Sequence, residues 1–291
     1  MNQIDNVLDR MDDRVPLEND RRRIHKAVAD ANYIFLVYAI LYRTYATFAF
    51  MTGILNARPP WMLYNPFFDW RNGLIHLLLH SLLEHLLFFL IVFSALLVDT
   101  FPILVIIILR GHIDVLRNHI QNLRTGPLQG EADNYEELVD CVLHHKLILS
   151  CSEILRPVIS GTIFIHFLLV GIVLGVTILN ILSSTDVAHR VVSFLFMAAL
   201  LLESFPCCYL SDLLAEDSMD LSNILAQSNW LNADSKYKST LIIFMQHAQK
   251  PIVFIAAGIF PISMASNIKM AKFAFSVMII MKQMNLDERL K

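Results

Sequence analysis

The chain has 291 residues, of which 56% are hydrophobic and 17% charged, and its mean hydropathy is +0.54. Soluble domains carry about a quarter charged residues, so this chain is too apolar to cover a soluble globule with polar surface. The net charge of −3 gives no basic excess for binding nucleic acid, and four cysteines without CxxC spacing argue against a disulfide scaffold or a zinc module. The composition therefore predicts an all-α integral membrane protein.

Apolar runs of about 20 residues predict membrane-spanning helices. Residues 1–32 are rich in charge and predict a cytosolic helix before the first span. The first four spans are expected at 33–55, at 74–109 with a cytosolic extension, at 158–182 and at 191–213. Extracellular loops are expected at 56–73 and 183–190, and cytosolic helices at 110–157. Strands are not expected, because the runs lack the alternation of a barrel wall.

The last apolar region, 251–281, is too long for one span and contains Gly258, Pro261, Lys269 and Lys272. If the span covered 251–268, both lysines would lie at its outer end and extend to the interface. If it began near residue 262, they would lie inside it and would have to face water, a partner or a pore. Composition leaves both placements open.

The distribution of lysine and arginine sets the predicted orientation. Fourteen of these residues fall on the side of the N-terminus and six on the opposite side. Cytoplasmic segments carry the positive excess, so the N-terminus is predicted in the cytosol and the C-terminus outside. The first 32 residues lack an apolar run, and no signal peptide is expected.

One polar stripe lies inside the second predicted span. His76, His80 and Glu84 are four residues apart and share a helix face. Two imidazoles and a carboxylate can hold a divalent metal, but one helix supplies few ligands, so no metal site is predicted. A pocket for a small solute and a polar stripe inside the bundle both stay open as interpretations.

No enzyme motif and no cofactor site stand out. GxSxG, GxxxxGK[ST] and GxGxxG are all absent. A membrane di-iron enzyme would need clustered histidine motifs, and His112, His119, His144 and His145 lack that spacing. These four histidines are expected to be exposed or capping side chains.

The run RPPWMLYNPFFDW at 58–70 is the most distinctive non-helical segment. Its three prolines exclude a regular helix. Trp61, Tyr64 and Trp70 suit a membrane–water interface, so the segment is either an aromatic belt or a lid over an extracellular cavity.

The chain resembles the insect odorant receptor family over essentially its whole length. The resemblance rests on the order and spacing of four stretches. They are PPWMLYNPFFDW at 59–70, NYEELVDCVLHHKLIL at 134–149, QSNWLNADSKYKSTLIIFMQHAQKPI at 227–252 and SNIKMAKFAFSVMIIMKQMNLDERL at 266–290. Family members have seven spans, a cytosolic N-terminus and an extracellular C-terminus. The five predicted spans would match the family's third to seventh, so a fragment or truncated form is expected.

The resemblance also implies the organisation of the last third of the chain. It implies cytosolic anchor helices at 214–250, a non-helical connection at 251–261, a pore-type span at 262–284 and an extracellular tail at 285–291. The implied pore-lining residues are Lys269, Lys272, Phe273 and Ser276. Many relatives carry tyrosine in this helix, where this chain has Phe273 and Phe275.

The function implied is that of a ligand-gated cation channel subunit that responds to odorants. It would form a heterotetramer with a co-receptor subunit in the plasma membrane of olfactory sensory neurons. A volatile ligand would bind in the outer half of the helix bundle, where aromatic and methionine side chains suit an adaptable pocket. The candidate ligand-binding residues are Tyr45, Phe48, Met51, His76, His80, Leu83, Phe194 and Met197. Each of these side chains also suits ordinary helix packing. Two alternatives are a small-solute or metal transporter that uses His76, His80 and Glu84, and a non-conducting fragment.

Overall fold

The computed structural model describes residues 2–15, 17–65, 69–125, 130–183 and 187–283. Within these ranges the chain forms seven α-helices, which confirms the prediction of an all-α fold. They are α1 (Asn2–Asp12), α2 (Glu18–Leu55), α3 (Leu74–Gln121), α4 (Glu131–Ser183), α5 (Val187–Gln227), α6 (Ser235–Ala248) and α7 (Met264–Gln283). A 3₁₀ helix at Trp70–Asn72 precedes α3, and two short strands, β1 (Ile255–Ala256) and β2 (Phe260–Pro261), precede α7.

Four of the described helices are long and apolar enough to cross a membrane. They are α2, α3, α4 and α5. Helix α3 has 48 residues. At 1.5 Å per residue it is about 72 Å long, more than twice the ~30 Å apolar core of a bilayer. Such helices must project well beyond the membrane. Helix α7 has 20 residues and is not among these four, so the fifth span stays a prediction.

The described chain divides into two compact units. Val28–Val105 form the small unit, and the described residues up to Ala27 and from Ile106 onward form the large unit. In the large unit, Leu109, Ile113, Leu116 and Ile120 are fully buried along one face of α3. This spacing of three and four residues is the apolar stripe of a helix that faces a protein core.

The small unit instead exposes many large apolar side chains on its two helices. Leu86, Leu90 and Ile91 of α3 are each more than half exposed, as is Phe48 of α2. Exposed apolar surface on this scale marks contact with lipid or with a partner protein. The small unit therefore has the surface of a membrane-embedded helical pair.

The N-terminal segment differs from the sequence prediction. A single helix was expected over 1–32, whereas α1 ends at Asp12 and α2 begins at Glu18. Val15 precedes Pro16, and a residue before proline is disfavoured in helical conformation, which explains the break. The prediction had not taken Pro16 into account. Helix α2 then continues without interruption through Asn32, where the predicted boundary lay.

One short hairpin lies in the segment 251–261, where a non-helical connection was expected. Ile255 pairs with Pro261 and Ala256 with Phe260 in an antiparallel ladder. Ala257 and Gly258 both have positive φ, at 47° and 71°, and the Ile259 amide donates to the Ala256 carbonyl at 2.9 Å. Two consecutive positive φ angles are typical of a type I′ hairpin turn, which glycine readily adopts.

Side chains of the neighbouring helices hold this hairpin in place. The Ser160 hydroxyl of α4 donates to the Ile255 carbonyl at 2.6 Å and accepts from the Ala257 amide at 2.9 Å. The Ser218 hydroxyl of α5 accepts from the Ile252 amide at 2.9 Å. Strand pairing alone would be marginal at this length, so these contacts from α4 and α5 account for the hairpin.

Candidate functional site

A buried glutamate of the small unit holds the proline-rich segment against α3. The Glu84 carboxylate accepts a hydrogen bond from the Trp61 amide at 3.0 Å and another from the Leu63 amide at 2.6 Å. His80 Nε2 lies 3.1 Å from the same carboxylate. The described residues 56–65 lie outside helices and strands, so their amides need other acceptors, and Glu84 provides two of them.

Aromatic packing and close backbone contact fix the same segment. The Trp61 ring stacks on Phe88 of α3 with 4.0 Å between ring centroids. Met62, between the two bonded amides, has φ of 50°, an uncommon conformation for a residue with a side chain. At Gly53 of α2, a Cβ atom would lie 2.9 Å from the Pro60 nitrogen, so only glycine fits this approach. The described part of the segment is thus packed onto both helices of the small unit.

The histidine–glutamate stripe does not form a metal site. His80 and Glu84 contact each other, and the remaining bonds of Glu84 go to backbone amides of the loop. Among the described residues, no group of three or more His, Cys, Asp or Glu side chains is placed to hold a metal ion. The alternative of a metal or solute transporter using His76, His80 and Glu84 is therefore not favoured. The signal that identifies the anchoring role is a carboxylate inside an apolar helix facing a loop with unpaired amides.

The other candidate ligand residues of the small unit lie mostly at its surface. Tyr45, Phe48 and Met51 of α2 are all more than half exposed, and Leu83 of α3 is exposed as well. The ring centroid of Tyr45 lies 6.3 Å from that of Phe88, the ring on which Trp61 stacks. His76 is partly buried and His80 is buried. Tyr45 and the packed loop thus both contact Phe88.

The two candidate ligand residues of the large unit have different environments. Met197 of α5 is 2% exposed and packs in an apolar cluster with Val170, Leu174 and Ile178 of α4 and Ala274 of α7. Phe194, three residues earlier, is 46% exposed. Met197 therefore belongs to the core between three helices, whereas Phe194 is available for contact with another molecule. None of the eight candidate residues lines the cavities of about 640 and 530 Å³.

Helix α7 has one packed face and one open face. Asn267, Met270, Ala274 and Val277 face α4 and α5, with Ala274 buried in the apolar cluster. The Asn267 amide donates to the Ser204 hydroxyl of α5 at 2.6 Å. The four candidate pore residues, Lys269, Lys272, Phe273 and Ser276, are all exposed, and Phe273 is 71% exposed. They form a stripe with helical spacing on the side away from the packed residues.

The first turn of α7 is tied to α5. The Asp212 carboxylate accepts a hydrogen bond from the Met264 amide at 2.9 Å. The first amides of a helix have no partner inside the helix, and a carboxylate there also interacts favourably with the helix dipole. Sequence analysis missed this role because Asp212 and Met264 are 52 residues apart.

For three of the four histidines at 112–145, the prediction of an exposed or capping side chain is wrong. His112, His144 and His145 are buried instead of exposed or capping. Burial lowers the pKa of His144 to about 3 and that of His145 to about 4, because a charged imidazole would lose its hydration. His144 and His145 have helical spacing from Leu138 and Ile148, which are also buried on α4. This spacing is the sequence signal that indicates a buried face.

Ion pairs in the same part of the large unit join three helices, α2, α3 and α5. Arg110 pairs with Asp217 at 2.7 Å, Arg117 with Asp220 at 3.2 Å, and Arg23 with Asp114 at 2.6 Å. Asp20 is fully buried, and His119 Nε2 lies 2.7 Å from its carboxylate. Charges in such numbers require water or partners, as is expected of helix ends that extend beyond the predicted spans.

Long apolar helices, polar helix ends and the exposed face of α7 define a multi-pass membrane protein. The chain belongs to the 7tm odorant receptor family, whose sequence model matches residues 1–275. It is 48% identical to odorant receptor 59b of Drosophila melanogaster over 283 residues, which cover 97% of this chain and 71% of that protein. It is 46% identical to odorant receptor 42b of the same species, over 98% of this chain and 72% of that protein.

Solved structures of an olfactory receptor share the fold. The olfactory receptor OR5 from Machilis hrabei superposes with a TM-score of 0.68 and 18% identity, over 91% of this chain and 70% of that one. The structure of the same receptor in complex with eugenol gives a TM-score of 0.67. The chain is therefore a membrane protein of the odorant receptor family.

Proposed function

We propose that this chain is a subunit of an odorant-gated cation channel and that α7 lines the pore. The observation that carries the proposal is the division of α7 into a packed and an exposed stripe. Lys269, Lys272, Phe273 and Ser276 are left uncovered while Asn267 and Ala274 are packed against α4 and α5. Lysines within an otherwise apolar helix need water or a partner, and a pore supplies water.

In the small unit, the exposed candidates Tyr45, Phe48, Met51 and Leu83 are proposed to contact a small volatile ligand. In the large unit, the exposed candidate is Phe194. Aromatic and methionine side chains hold such ligands mainly by dispersion, and their surfaces are accessible here. His76 and His80 would act at the edge of this site, and His80 does so through Glu84 and the packed loop. Met197, in the core of the large unit, would act through the packing of α5. The OR5 complex with eugenol shows that one receptor of this fold binds a small aromatic molecule.

The proposal includes assembly and orientation. The subunit would pair with a co-receptor subunit in a heterotetramer in the plasma membrane of olfactory sensory neurons. The excess of lysine and arginine on one side supports a cytosolic N-terminus and an extracellular C-terminus. The ligand would open the pore by binding the open state more tightly than the closed state.

Current recording on the chain co-expressed with a co-receptor subunit tests the pore assignment. A panel of small esters, alcohols and ketones is applied, and conductance and reversal potentials are compared for wild type, Lys269→Ala and Lys272→Ala. An ammonium beside a cation path raises its barrier, by ~1 kcal/mol at about 4 Å in water, so each substitution is expected to raise conductance by up to about fivefold. Lys250→Ala, an exposed lysine outside α7, is the matched control and should leave permeation unchanged. Unchanged permeation in both α7 variants would exclude this face of α7 from the pore.

A further inference from the structure

A cavity in the large unit is lined by none of the candidate odorant or pore residues. Its volume is about 640 Å³, within the range of small-molecule sites in proteins. Its wall comes from the end of α1, the segment before α2, and the facing ends of α3 and α4. Leu17, Leu123 and Cys141 supply apolar surface.

One buried side chain in this wall lacks hydrogen-bond partners. His144 is 1% exposed, and neither of its ring nitrogens is bonded to any residue that the structure describes. The rings of His112 and His119 lie nearby, with centroids 5.7 and 6.5 Å from that of His144. An unsatisfied buried polar group is costly, and native proteins usually resolve it with water or a ligand.

The imidazole of His144 is neutral at physiological pH. Its pKa is lowered to about 3, mainly by burial and in addition by the neighbouring His112, His119 and Arg14. A neutral imidazole offers one N–H donor and one nitrogen acceptor. A hydroxyl or amide group can bond to either of them.

The charges around the cavity argue against an ionic occupant. Arg10 and Arg14 face Asp13, Glu137 and Asp140, so the wall has no positive excess for an anion. Arg14 is already paired with Asp140 at 2.9 Å. No group of described His, Cys, Asp or Glu side chains is placed to hold a metal ion, which removes the divalent cation.

We propose that this cavity is a second small-molecule site, for an uncharged ligand with an apolar body and one hydroxyl or amide head. The body packs on Leu17 and Leu123, and the head bonds to a ring nitrogen of His144. The site is built from the N-terminal helix and the ends of α3 and α4 that project beyond the predicted spans.

A thiol-protection experiment measures whether a ligand occupies this cavity. Asn122→Cys places a thiol at its exposed rim, while the four native cysteines are buried, with the pKa of Cys141 raised to about 12 by burial. The full chain in lipid nanodiscs is modified with a small methanethiosulfonate reagent, with and without 4-methylphenol. Protection of about tenfold is expected when the free phenol is near ten times its Kd. Toluene should require a severalfold higher concentration, because it lacks the hydroxyl, and 4-methylbenzoate should not protect.

Two further variants test the role of His144. In the Asn122→Cys background, His144→Phe should weaken protection by about 3- to 10-fold, the value of one lost hydrogen bond. His145→Phe is the matched control, since His145 is buried on the same helix but does not line the cavity, and protection should persist. Leu17→Trp changes an exposed residue at the rim, so folding is spared while entry is blocked, and the effect of phenol should disappear. No protection up to the solubility limit of the phenol, or equal protection with and without His144, would overturn the proposal and leave a water-filled cavity.

Discussion

The carboxylate of Asp212 on α5 caps the first turn of α7 by accepting the Met264 amide at 2.9 Å. The contact links the candidate pore helix to a helix that also packs on the hairpin before it, through Ser218. The start of α7 is therefore held by side chains of α5, whereas Lys272 and Phe273 on its other face are exposed.

Replacement of Asp212 by alanine should loosen the start of α7. Loss of a capping carboxylate costs about 0.5–2 kcal/mol, so the melting temperature should fall and the Met264 amide should exchange faster. Differential scanning fluorimetry and hydrogen-exchange mass spectrometry measure both effects. Glu216→Gln is the control, an exposed carboxylate one turn further along α5. Equal exchange in the two variants would show that Asp212 does not hold the helix.

Replacement of Glu84 by glutamine should release the proline-rich segment. One carboxylate oxygen becomes an NH₂ group that cannot accept from Trp61 or Leu63, and a hydrogen bond to a charged group is worth about 1.5–3 kcal/mol. Exchange of the amides in 56–65 should accelerate by about tenfold or more, measured by hydrogen-exchange mass spectrometry. Asp69→Asn is the control, because that carboxylate bonds only locally, to the Arg71 amide at 3.1 Å. An unchanged exchange rate in Glu84→Gln would mean that Trp61–Phe88 stacking alone fixes the segment.

The buried histidines should make the protein less stable in mild acid. The pKa of His144 is lowered to about 3 by burial, whereas an unfolded histidine titrates near 6.5. Between these values the unfolded chain binds a proton that the folded chain does not, so the free energy of unfolding falls as pH falls below 6.5. The loss is about 2 kcal/mol per such imidazole at pH 5.

Thermal melts of wild type and His144→Gln at pH 7.5 and pH 5 measure that contribution. The variant is less stable at pH 7.5 but should lose less on acidification. His25→Gln, which changes an exposed histidine of α2, should keep the wild-type pH dependence. Identical acid sensitivity in all three proteins would contradict the assignment.

Substitutions of Met197 and Phe194 should have different effects, the first on protein stability and the second on the odorant response. Met197→Ala opens a cavity in the cluster with Leu174 and Ala274, which typically costs 2–5 kcal/mol, so the melting temperature should fall strongly. Phe194→Ala removes an exposed side chain and should change stability by about 0.5 kcal/mol or less, while it shifts the odorant concentration for half-maximal current. Melting curves and dose–response currents on the same preparations compare them. A large loss of stability in Phe194→Ala would place that ring in the core.

Some features of the fold follow directly from the sequence, because they depend on local pattern. Long apolar runs give α2 to α5, and Asp234 is the N-cap of α6, with its carboxylate accepting the Tyr237 amide at 2.8 Å. The exposure of Lys269 and Lys272 on one face also follows from helical spacing. Other features depend on partners far along the chain. The Glu84 bonds to Trp61 and Leu63, the Ser160 bonds to the hairpin and the burial of His144 arise from tertiary packing, which a single sequence does not reveal.

The hairpin at 255–261 fixes the point about which α7 can tilt, so it acts as a hinge for this helix. Ser160 and Ser218 hold the segment before the helix, and Asp212 holds its first turn. Ile280 lies 16 residues beyond Met264, about 24 Å along the helix axis. Each degree of tilt at this hinge therefore displaces Ile280 by about 0.4 Å. A tilt of a few degrees moves the far end of α7 by more than an ångström while the hairpin stays in place.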